Sequence, residues 1–394
     1  MEKRNRLFAL MMVLCGLLPF AHAEPAEIGN GNVRLYSLNI GKADCMLLLC
    51  GEKTYLIDTG YEHTYPALAC ALQQLNITHL DGVFLTHCHQ DHEGGLMPLV
   101  KSDIAIDHLY AAKIYYDVKE SKHPALLAAK ERKMQVEFLQ LGDVIQVDDE
   151  TSFTVLGPVS RNEDNENNNS LVMRFASPHG SILFTGDMKL EEENDLLQRN
   201  LITTSDVLKC GHHGDNNATS MALLRAVRPK CAVILTSSRE EPDTPSPDTL
   251  NRLRTMKCDV HISQNYQDAL CVTLENGIPT VSDIAWPGIP KRIYGLQAKI
   301  RLANDAFILT NTKNEQVTLS GCFLYSSKGD DAFPLRDISL NANESIVIGS
   351  KKTKDADITI DKKTLWHEKK KDIGILYDAY GRILAVADNG LKEK

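Results

Sequence analysis

The chain has 394 residues, with 43 lysines and arginines against 52 aspartates and glutamates and a formal net charge of −9. Because single hydrophobic cores stop growing at roughly 250 to 300 residues, this length predicts two domains. The acidic balance argues against a protein whose whole surface binds nucleic acid, although it leaves room for a local basic groove.

The first 23 residues have the composition of a secretory signal peptide. Lys3, Arg4 and Arg6 precede an apolar run over residues 7–18, and alanines at 21 and 23 suit a signal-peptidase cleavage site. The apolar run is shorter than the roughly 20 residues that a membrane-spanning helix needs, and no later stretch is long enough. We therefore expect a secreted protein, periplasmic or extracellular, with residues 1–23 removed and no transmembrane segment.

Strands and helices alternate through the next part of the chain. Short apolar runs bounded by Gly, Asn or Asp predict strands, and a longer periodic run predicts a helix. The predicted elements in chain order are strands at 33–38, 45–49 and 54–57, a helix at 65–75, strands at 83–85, 153–156, 170–175, 181–184 and 232–235, and a helix at 247–256. This alternation is typical of a layered α/β sandwich, which we place at residues 24–288.

A cluster of metal-binding residue types follows the strand at 83–85. His87, His89, Asp91 and His92 lie within six positions of one another. Alternate side chains at a strand end point the same way, so His87, His89 and Asp91 can converge while His92 joins from the loop. Imidazoles combined with a carboxylate suit zinc, iron or manganese. The spacing therefore predicts a site for two metal ions side by side.

Three later segments are expected to complete this site. Asp187 follows an apolar strand and is the natural carboxylate to bridge two ions. His212 and His213 lie between glycines, and one is expected to bind metal while the other protonates the leaving group or stabilises developing charge. The residues alone leave open which does which. Asp58 is expected to accept a hydrogen bond from a ligand imidazole or a loop amide, with a simple turn cap as the alternative.

Lys189 and Lys209 lie close in sequence to these residues. Contact with an anionic substrate is one interpretation, and ordinary solvation is the more common state of a lysine.

The sequence pattern changes after residues 287–290. From about residue 293 to 389 short alternating strands follow one another without a helix-length pattern, which predicts a small all-β, immunoglobulin-like sandwich at residues 289–394. Residues 351–372 contain eight lysines against five acidic residues. Such a segment suits contact with an anionic polymer, or a solvated face.

Residues from about 33 to 285 resemble a metallo-β-lactamase-fold hydrolase, and within that superfamily the ComEC-type branch. The matching motifs occur in order: residues 38–44 are similar to N-V-G-Q-G-D, 57–60 to I-D-T-G, 86–95 to T-H-x-H-x-D-H-x-G-G, 167–172 to N-S-L-V, 184–187 to F-T-G-D and 208–214 to L-K-x-G-H-H-G. The resemblance implies a four-layer αββα sandwich that holds two divalent ions, zinc or manganese. Its implied ligands are His87, His89 and bridging Asp187 for one ion, and Asp91, His92 and one of His212 or His213 for the other.

One departure from the superfamily pattern concerns the first ion. Many members place a further histidine between the first cluster and the Gly-Asp pair, where this chain has Asn168 and Asn169. The resemblance therefore implies that the first site lacks a ligand and binds its ion weakly. Asn168 is expected to lie behind the metal ligands, as Asp58 does.

Residues from about 293 to 390 resemble a lamin-tail domain, which is an immunoglobulin-like sandwich. Residues 319–324 are similar to its L-S-G-W strand, and Trp366 and the turn at 378–381 agree with that pattern. The resemblance implies adhesion or positioning, so this domain is expected to bind a surface or a polymer.

Together these features predict a secreted, metal-dependent hydrolase whose metal-bound hydroxide attacks a phosphodiester of nucleic acid or of a cell-envelope polymer. We assign His213 to the metal, and His212 and Asp91 to catalysis. Thioester and β-lactam hydrolysis are alternative activities, because a fold does not fix a substrate. A binding or adhesion protein with a decayed metal centre is the non-enzymatic alternative.

Overall fold

The computed structural model describes residues 33–115, 119 and 123–392. The predicted signal peptide, residues 1–23, lies outside these described residues. Within them the chain divides into two compact units, one ending at Ile289 and the other beginning at Pro290. None of the helices in this part of the chain is both long enough and apolar enough to cross a membrane.

Two large sheets form the body of the larger unit. Its strands in chain order are β1 Val33–Leu38, β2 Cys45–Cys50, β3 Lys53–Thr59, β4 His79–Leu80, β5 Gly82–Leu85, β6 Ala105–Ile106, β7 Leu109–Ala112, β8 Val136–Leu139, β9 Val144–Gln146, β10 Ser152–Gly157, β11 Val172–Ser177, β12 Gly180–Phe184, β13 Val207–Lys209, β14 Cys231–Ile234, β15 Asp259–Ile262, β16 Ala269–Glu275 and β17 Ile278–Ile284. One sheet has the order β17-β16-β1-β2-β3-β5-β7-β8, the other the order β15-β14-β13-β12-β11-β10-β9, and β4 pairs with β6.

Both sheets change from antiparallel to parallel pairing across their width. In the first sheet β2 and β3 pair antiparallel, whereas β5 pairs in parallel with β3 and β7. In the second sheet β11 and β12 pair antiparallel, whereas β12, β13 and β14 pair in parallel. Parallel neighbours bring their carboxyl ends to one edge of a sheet, and sites in layered α/β folds collect at such ends.

Aromatic side chains fill the space between the two sheets. Phe153, from the second sheet, is completely buried and its ring lies 5.1 Å from that of Tyr55 and 4.8 Å from that of Phe84, both in the first sheet. Phe175, next to Phe153 in the second sheet, adds a ring at 5.1 Å. The inner faces of the sheets are thus packed against each other.

Helices cover the outer faces of the sheets. They are α1 Tyr65–Gln74, α2 Gln90–Glu93, α3 Leu96–Lys101, α4 Pro124–Arg132, α5 Leu190–Gln198, α6 Met221–Val227 and α7 Pro247–Thr255. Leucines and valines of α5, α6 and α7 share one buried cluster with the second sheet, and α4 packs on β7 and β8 of the first. The start of α7 follows local rules, since the Ser246 side chain accepts a hydrogen bond from the Asp248 amide and Pro247 occupies the first turn. These four layers confirm the predicted αββα fold.

The smaller unit is built from strands. They are β18 Leu296–Arg301, β19 Ala306–Asn311, β20 Val317–Leu319, β21 Phe323–Ser326, β22 Asp331–Pro334, β23 Ile338–Leu340, β24 Ser345–Gly349, β25 Ile358–Thr359, β26 Ile373–Tyr377 and β27 Ile383–Asp388. They form sheets of order β18-β19-β24-β25, β20-β23 and β22-β21-β26-β27. One core cluster includes Phe307 from the first of these sheets and Leu376 from the last. Among the described residues this unit has no α-helix, which confirms the predicted all-β class.

Candidate metal centre

Strand ends from both sheets deliver polar side chains to one buried cluster. Asp91 and His92 follow β5, Asp187 follows β12, and His213 follows β13. One ligand atom from each of these four residues lies within 4.8 Å of the others. The change to parallel pairing in each sheet is what places these strand ends together.

The Asp187 carboxylate lies between the other members of the cluster. Its Oδ2 atom is 3.2 Å from His92 Nε2, 3.2 Å from His213 Nε2 and 4.0 Å from His87 Nε2. Asp91 Oδ2 is in turn 3.2 Å from His213 Nε2. A carboxylate that faces imidazoles on two sides has the position needed to bridge two ions.

His87 and His89 form a second group of nitrogens beside this carboxylate. His87 Nε2 lies 3.0 Å from His89 Nδ1, which is close enough for both nitrogens to bind one ion. The His87 ring is buried and that of His89 is partly exposed. His87 also has its Nδ1 atom 3.1 Å from Thr86 Oγ1, which restricts rotation of the ring.

Asp58 holds the His92 ring from behind. Its carboxylate accepts hydrogen bonds of 2.8 Å from the Thr86 amide and from Thr86 Oγ1, and it lies 2.8 Å from His92 Nδ1. With Nδ1 engaged in this way, Nε2 is the nitrogen that faces Asp187. The role predicted for Asp58 behind a metal ligand stays a prediction, which this geometry favours.

The two adjacent histidines differ in their surroundings. Both have left-handed backbone, with φ of 45° at His212 and 54° at His213, a conformation that is uncommon for non-glycine residues. His213 is fully buried and donates from Nδ1 to the Leu235 carbonyl at 2.8 Å, so its Nε2 faces the carboxylates. His212 is partly exposed, and its Nδ1 lies 2.8 Å from Asn217 Oδ1. The structure therefore brings His213 into the cluster and leaves His212 beside it.

Lys209 is completely buried, so the interpretation of ordinary solvation is wrong for its side chain. Its ammonium group forms an ion pair with Asp44, lies 3.5 Å from Asp187 Oδ1 and donates to the Gly186 carbonyl at 2.8 Å. Asp44 stands in one of the ordered motifs, at residues 38–44, but no role for it was predicted from the sequence. The available signal for Lys209 was its place in an apolar strand next to the histidine pair.

Asn168 contacts the beginning of helix α5 and makes no described hydrogen bond to the four-residue cluster. Its Oδ1 accepts from the Lys189 amide at 3.0 Å, and its Nδ2 donates to Glu191 at 2.9 Å. The nearby Ser170 hydroxyl accepts from the Asp187 amide at 2.9 Å. Both contacts fix the loop that carries Asp187, and the predicted place of Asn168 behind the ligands stays a prediction.

Charge in the cluster keeps its carboxylates ionised. Burial raises the pKa of the Asp187 carboxyl, but the positive charge of His213, His92 and Lys209 outweighs burial and holds this pKa well below its usual range. Burial lowers the pKa of His213, but Asp187 and Asp91 outweigh it and raise that pKa to about 9. The carboxylates of the cluster are therefore ionised and available to cations, and metal binding would displace the protons held by the two imidazoles.

The residues present fit a pair of divalent ions. His92 Nε2 and Asp187 Oδ1 are buried without a hydrogen bond in the described structure, although both belong to the cluster. Buried polar atoms normally have a partner, because an unsatisfied one costs about 1 to 3 kcal/mol. Imidazole nitrogens and carboxylate oxygens converging on one space are the ligand set that zinc and manganese take.

Comparison with known proteins identifies similar chains. The family model described as metallo-beta-lactamase superfamily matches residues 39–238. ComE operon protein 3 of Bacillus subtilis (strain 168) is 30% identical over 255 residues, which is 59% of this chain and 32% of that protein. Competence protein ComA of Neisseria gonorrhoeae is 25% identical over 242 residues, 60% of this chain and 32% of that protein. The chain thus spans about a third of the length of these curated relatives.

A solved structure with similarity to this chain is CmlA, a diiron beta-hydroxylase from Streptomyces venezuelae. It is 13% identical, covers 62% of this chain and 54% of its own, and superposes with a TM-score of 0.45.

Proposed function

Because the chain belongs to the metallo-β-lactamase superfamily, we propose that it is an exported, metal-dependent phosphodiesterase of the ComEC-type branch. Members of this superfamily are generally metal-dependent hydrolases. The similarity to two proteins named for competence supports the branch. The proposed substrate is a phosphodiester of nucleic acid or of a cell-envelope polymer.

The position of Asp187 carries this proposal. One oxygen of its carboxylate lies 3.2 Å from each of two buried imidazole nitrogens, on His92 and His213. His87 and His89 lie on the other side and Asp91 beside His213. We assign His87, His89 and Asp187 to one ion, and Asp91, His92, His213 and the shared Asp187 to the other.

The proposed ligand set accounts for the choice of phosphoester chemistry. Two divalent ions bound there would activate water and neutralise charge on both the attacking and the leaving oxygen of a phosphodiester. Asp58 would keep His92 in one orientation, and Lys209 would hold Asp187 and Asp44 ionised and in place. Both contacts organise the ligands before substrate arrives, so little reorganisation is needed during the reaction.

His212 is proposed as the proton-transfer group. Its Nδ1 atom donates to Asn217 Oδ1, whose own amide nitrogen donates to Asp215, so the amide orientation is fixed. The other ring nitrogen, Nε2, is then the one available to exchange a proton with the leaving oxygen. Burial lowers the pKa of His212, and the nearby positive charge of Lys189 lowers it further. Lys189 would also attract an anionic substrate.

Hydrolysis of bis(p-nitrophenyl) phosphate by the chain without residues 1–23, loaded with manganese or zinc, tests this function. Asp91→Asn and Asp187→Asn replace carboxylates with neutral groups of the same shape, and we expect each to lower kcat by at least about a hundredfold. Asp107→Asn is the matched control, because that carboxylate is exposed and lies outside the cluster. Its activity should equal that of the unsubstituted chain.

Metal content measured on the same samples separates the alternatives. Stoichiometric metal without phosphodiesterase activity would exclude the proposed reaction and direct attention to thioester and β-lactam substrates. Absence of bound metal after loading would favour a binding protein with a decayed centre.

A further inference from the structure

Five lysines of the smaller unit line one cleft, which we call the lysine cleft. Its volume is about 650 Å³. The lining residues are Ser327, Lys328, Lys369, Lys370, Lys371, Ile373 and Lys392. Lys371 is half-buried and the other four lysines are exposed. No acidic side chain is among the lining residues.

Buried hydrogen bonds of Asp372 hold together the separate segments that carry these lysines. The Asp372 carboxylate accepts from the amide of Lys328 and from that of His367, each at 2.9 Å, and from the Ser326 hydroxyl at 3.1 Å. It is 1% exposed. The loop after β21 and the segment before β26 are therefore fixed side by side.

Asn389 adds the C-terminal segment to this scaffold. Its side-chain amide donates to the carbonyls of His367 and Lys370 at 2.9 and 2.8 Å, and its Oδ1 accepts from the amides of Asp372 and Leu391. Lys392 follows directly. The lysines thus project from backbone that is hydrogen-bonded in place, which lowers the entropy lost when a ligand orders them.

Elsewhere in the same unit, lysines have acidic partners. Lys362 lies 2.8 Å from Asp331 and Lys352 lies 3.5 Å from Glu368, and Lys351 forms an ion pair with Asp361. Among the described residues none of the five cleft lysines has a carboxylate within ion-pair distance. Residues 290–394 carry 18 lysines and arginines against 14 aspartates and glutamates, although the whole chain has a net charge of −9. Positive charge is therefore concentrated in this unit and uncompensated at the cleft.

We propose that the lysine cleft binds the phosphate backbone of duplex DNA without sequence preference. Lysine ammonium groups act as point charges toward phosphates and lack the planar fork with which arginine reads guanine. Proteins that hold single strands stack bases on aromatic side chains, and no lining residue is aromatic. Phosphate contacts made by lysines supply the salt-dependent, sequence-independent part of DNA affinity.

The surroundings of the cleft do not match a membrane-binding surface. Such a surface combines basic residues with large apolar side chains that enter the lipid. The exposed large apolar residues of the described chain are Leu127, Val144, Leu190, Ile278 and Tyr294. None of them lines the cleft, and its concave form suits a ridge of backbone phosphates better than a flat bilayer. The proposal stands whether or not the larger unit hydrolyses phosphodiesters.

The test is fluorescence anisotropy of a labelled DNA duplex, titrated with the chain lacking residues 1–23 in the presence of a chelator so that cleavage cannot interfere. The test variant replaces Lys369, Lys370 and Lys371 with alanine. The matched control replaces Lys351, Lys352 and Lys362, which removes the same charge from ion-paired positions. Each lysine–phosphate contact contributes about 0.9 to the slope of log affinity against log salt, so the test variant should lower that slope by about 2 to 3.

At about 50 mM salt we expect the test variant to bind duplex at least about tenfold more weakly, and the control within about twofold of the unsubstituted chain. Circular dichroism checks folding, and a Lys328→Ala/Lys392→Ala variant replaces the test variant if it fails to fold. Equal losses in test and control variants would overturn the proposal. Tighter binding to the matching single strand than to the duplex would also overturn it. The same holds if the cleft lysines are needed for binding to phosphatidylglycerol vesicles or poly(glycerol phosphate) while the chain does not bind the duplex.

Discussion

Replacing Lys209 with methionine should destabilise the larger unit strongly. Methionine has a similar length but no charge, so the substitution removes the closest positive partner of Asp44 and leaves its carboxylate with only the more distant His213 Nδ1 at 3.4 Å and His92 Nδ1 at 3.8 Å. Both ends of the Lys209–Asp44 pair are 0% exposed, so water cannot compensate for the loss. The lysine also donates to the Gly186 carbonyl at 2.8 Å, and this hydrogen bond is lost as well.

The expected cost follows from the burial of this pair. Removing one partner of a buried ion pair typically costs about 3 to 5 kcal/mol, because the remaining charge is uncompensated. That range lowers the folding equilibrium constant roughly a hundred- to a few-thousandfold. Lys42→Met is the matched control, because Lys42 pairs with Glu241 at side-chain exposures of 22% and 43%. Because water reaches both side chains, this pair should contribute at most about 1 kcal/mol.

Guanidinium denaturation in the presence of a chelator measures these costs without the contribution of bound metal. Each unit contains one of the two tryptophans, Trp286 and Trp366, so fluorescence in a Trp366→Phe background reports the larger unit. Asp44→Asn/Lys209→Met removes both charges and should be more stable than Lys209→Met alone. A loss below about 1 kcal/mol for Lys209→Met, or strictly additive effects in the double variant, would refute this reasoning.

Three further predictions concern pH, the loop before Asp187 and the core. Burial raises the pKa of the Glu192 carboxyl from its ordinary value to about 7, so the stability contributed by its neutral form is present below the unfolded pKa and is lost as pH rises through about 7. The melting temperature of Glu192→Gln should therefore exceed that of the unsubstituted chain by more at about pH 8 than at about pH 5. A difference in melting temperature that does not change with pH would contradict this. Gly186→Ala would place a Cβ only 2.8 Å from the Cβ of Ser170, at a backbone φ of 50° that alanine seldom adopts. Because this strain would displace the neighbouring Asp187, the amount of bound metal measured by mass spectrometry should fall by about half or more. Full metal occupancy would contradict this prediction. Phe153→Ala should cost about 3 to 5 kcal/mol in chemical denaturation because its ring is fully buried between the sheets, and a cost under about 1 kcal/mol would show that the core can collapse around the gap.

Local pattern was enough to predict a layered α/β sandwich and the positions of its chemistry along the chain, whereas the four-layer αββα arrangement was implied by the resemblance of the ordered motifs. The strand predicted at 83–85 is present as β5, and the helix predicted at 65–75 is present as α1. Alternation along a strand and the turn that follows it involve only neighbouring residues, so the spacing of His87, His89 and Asp91 could be interpreted without the rest of the chain. The same holds for the signal-peptide pattern, which no described residue tests.

Pairing between distant segments could not be predicted in this way. β16, at Ala269–Glu275, lies between β1 and β17 in the first sheet, although β1 is more than 200 residues earlier. Apolar periodicity shows that a segment is a strand and does not show which strand it joins. The register of such pairs is decided only when the complete sheet is packed.

The sequence by itself determined which residue types stand at strand ends, and hence that histidines and carboxylates could meet. Tertiary structure decided that Lys209 is buried against Asp44 and that His213 rather than His212 faces Asp187. It also decided that hydrogen bonds to Asp372 hold the lysine-bearing segments of the cleft side by side. Each of these depends on burial and on partners far away in sequence. Electrostatic effects grow when water is excluded, and which groups lose water is fixed only by packing of the whole chain.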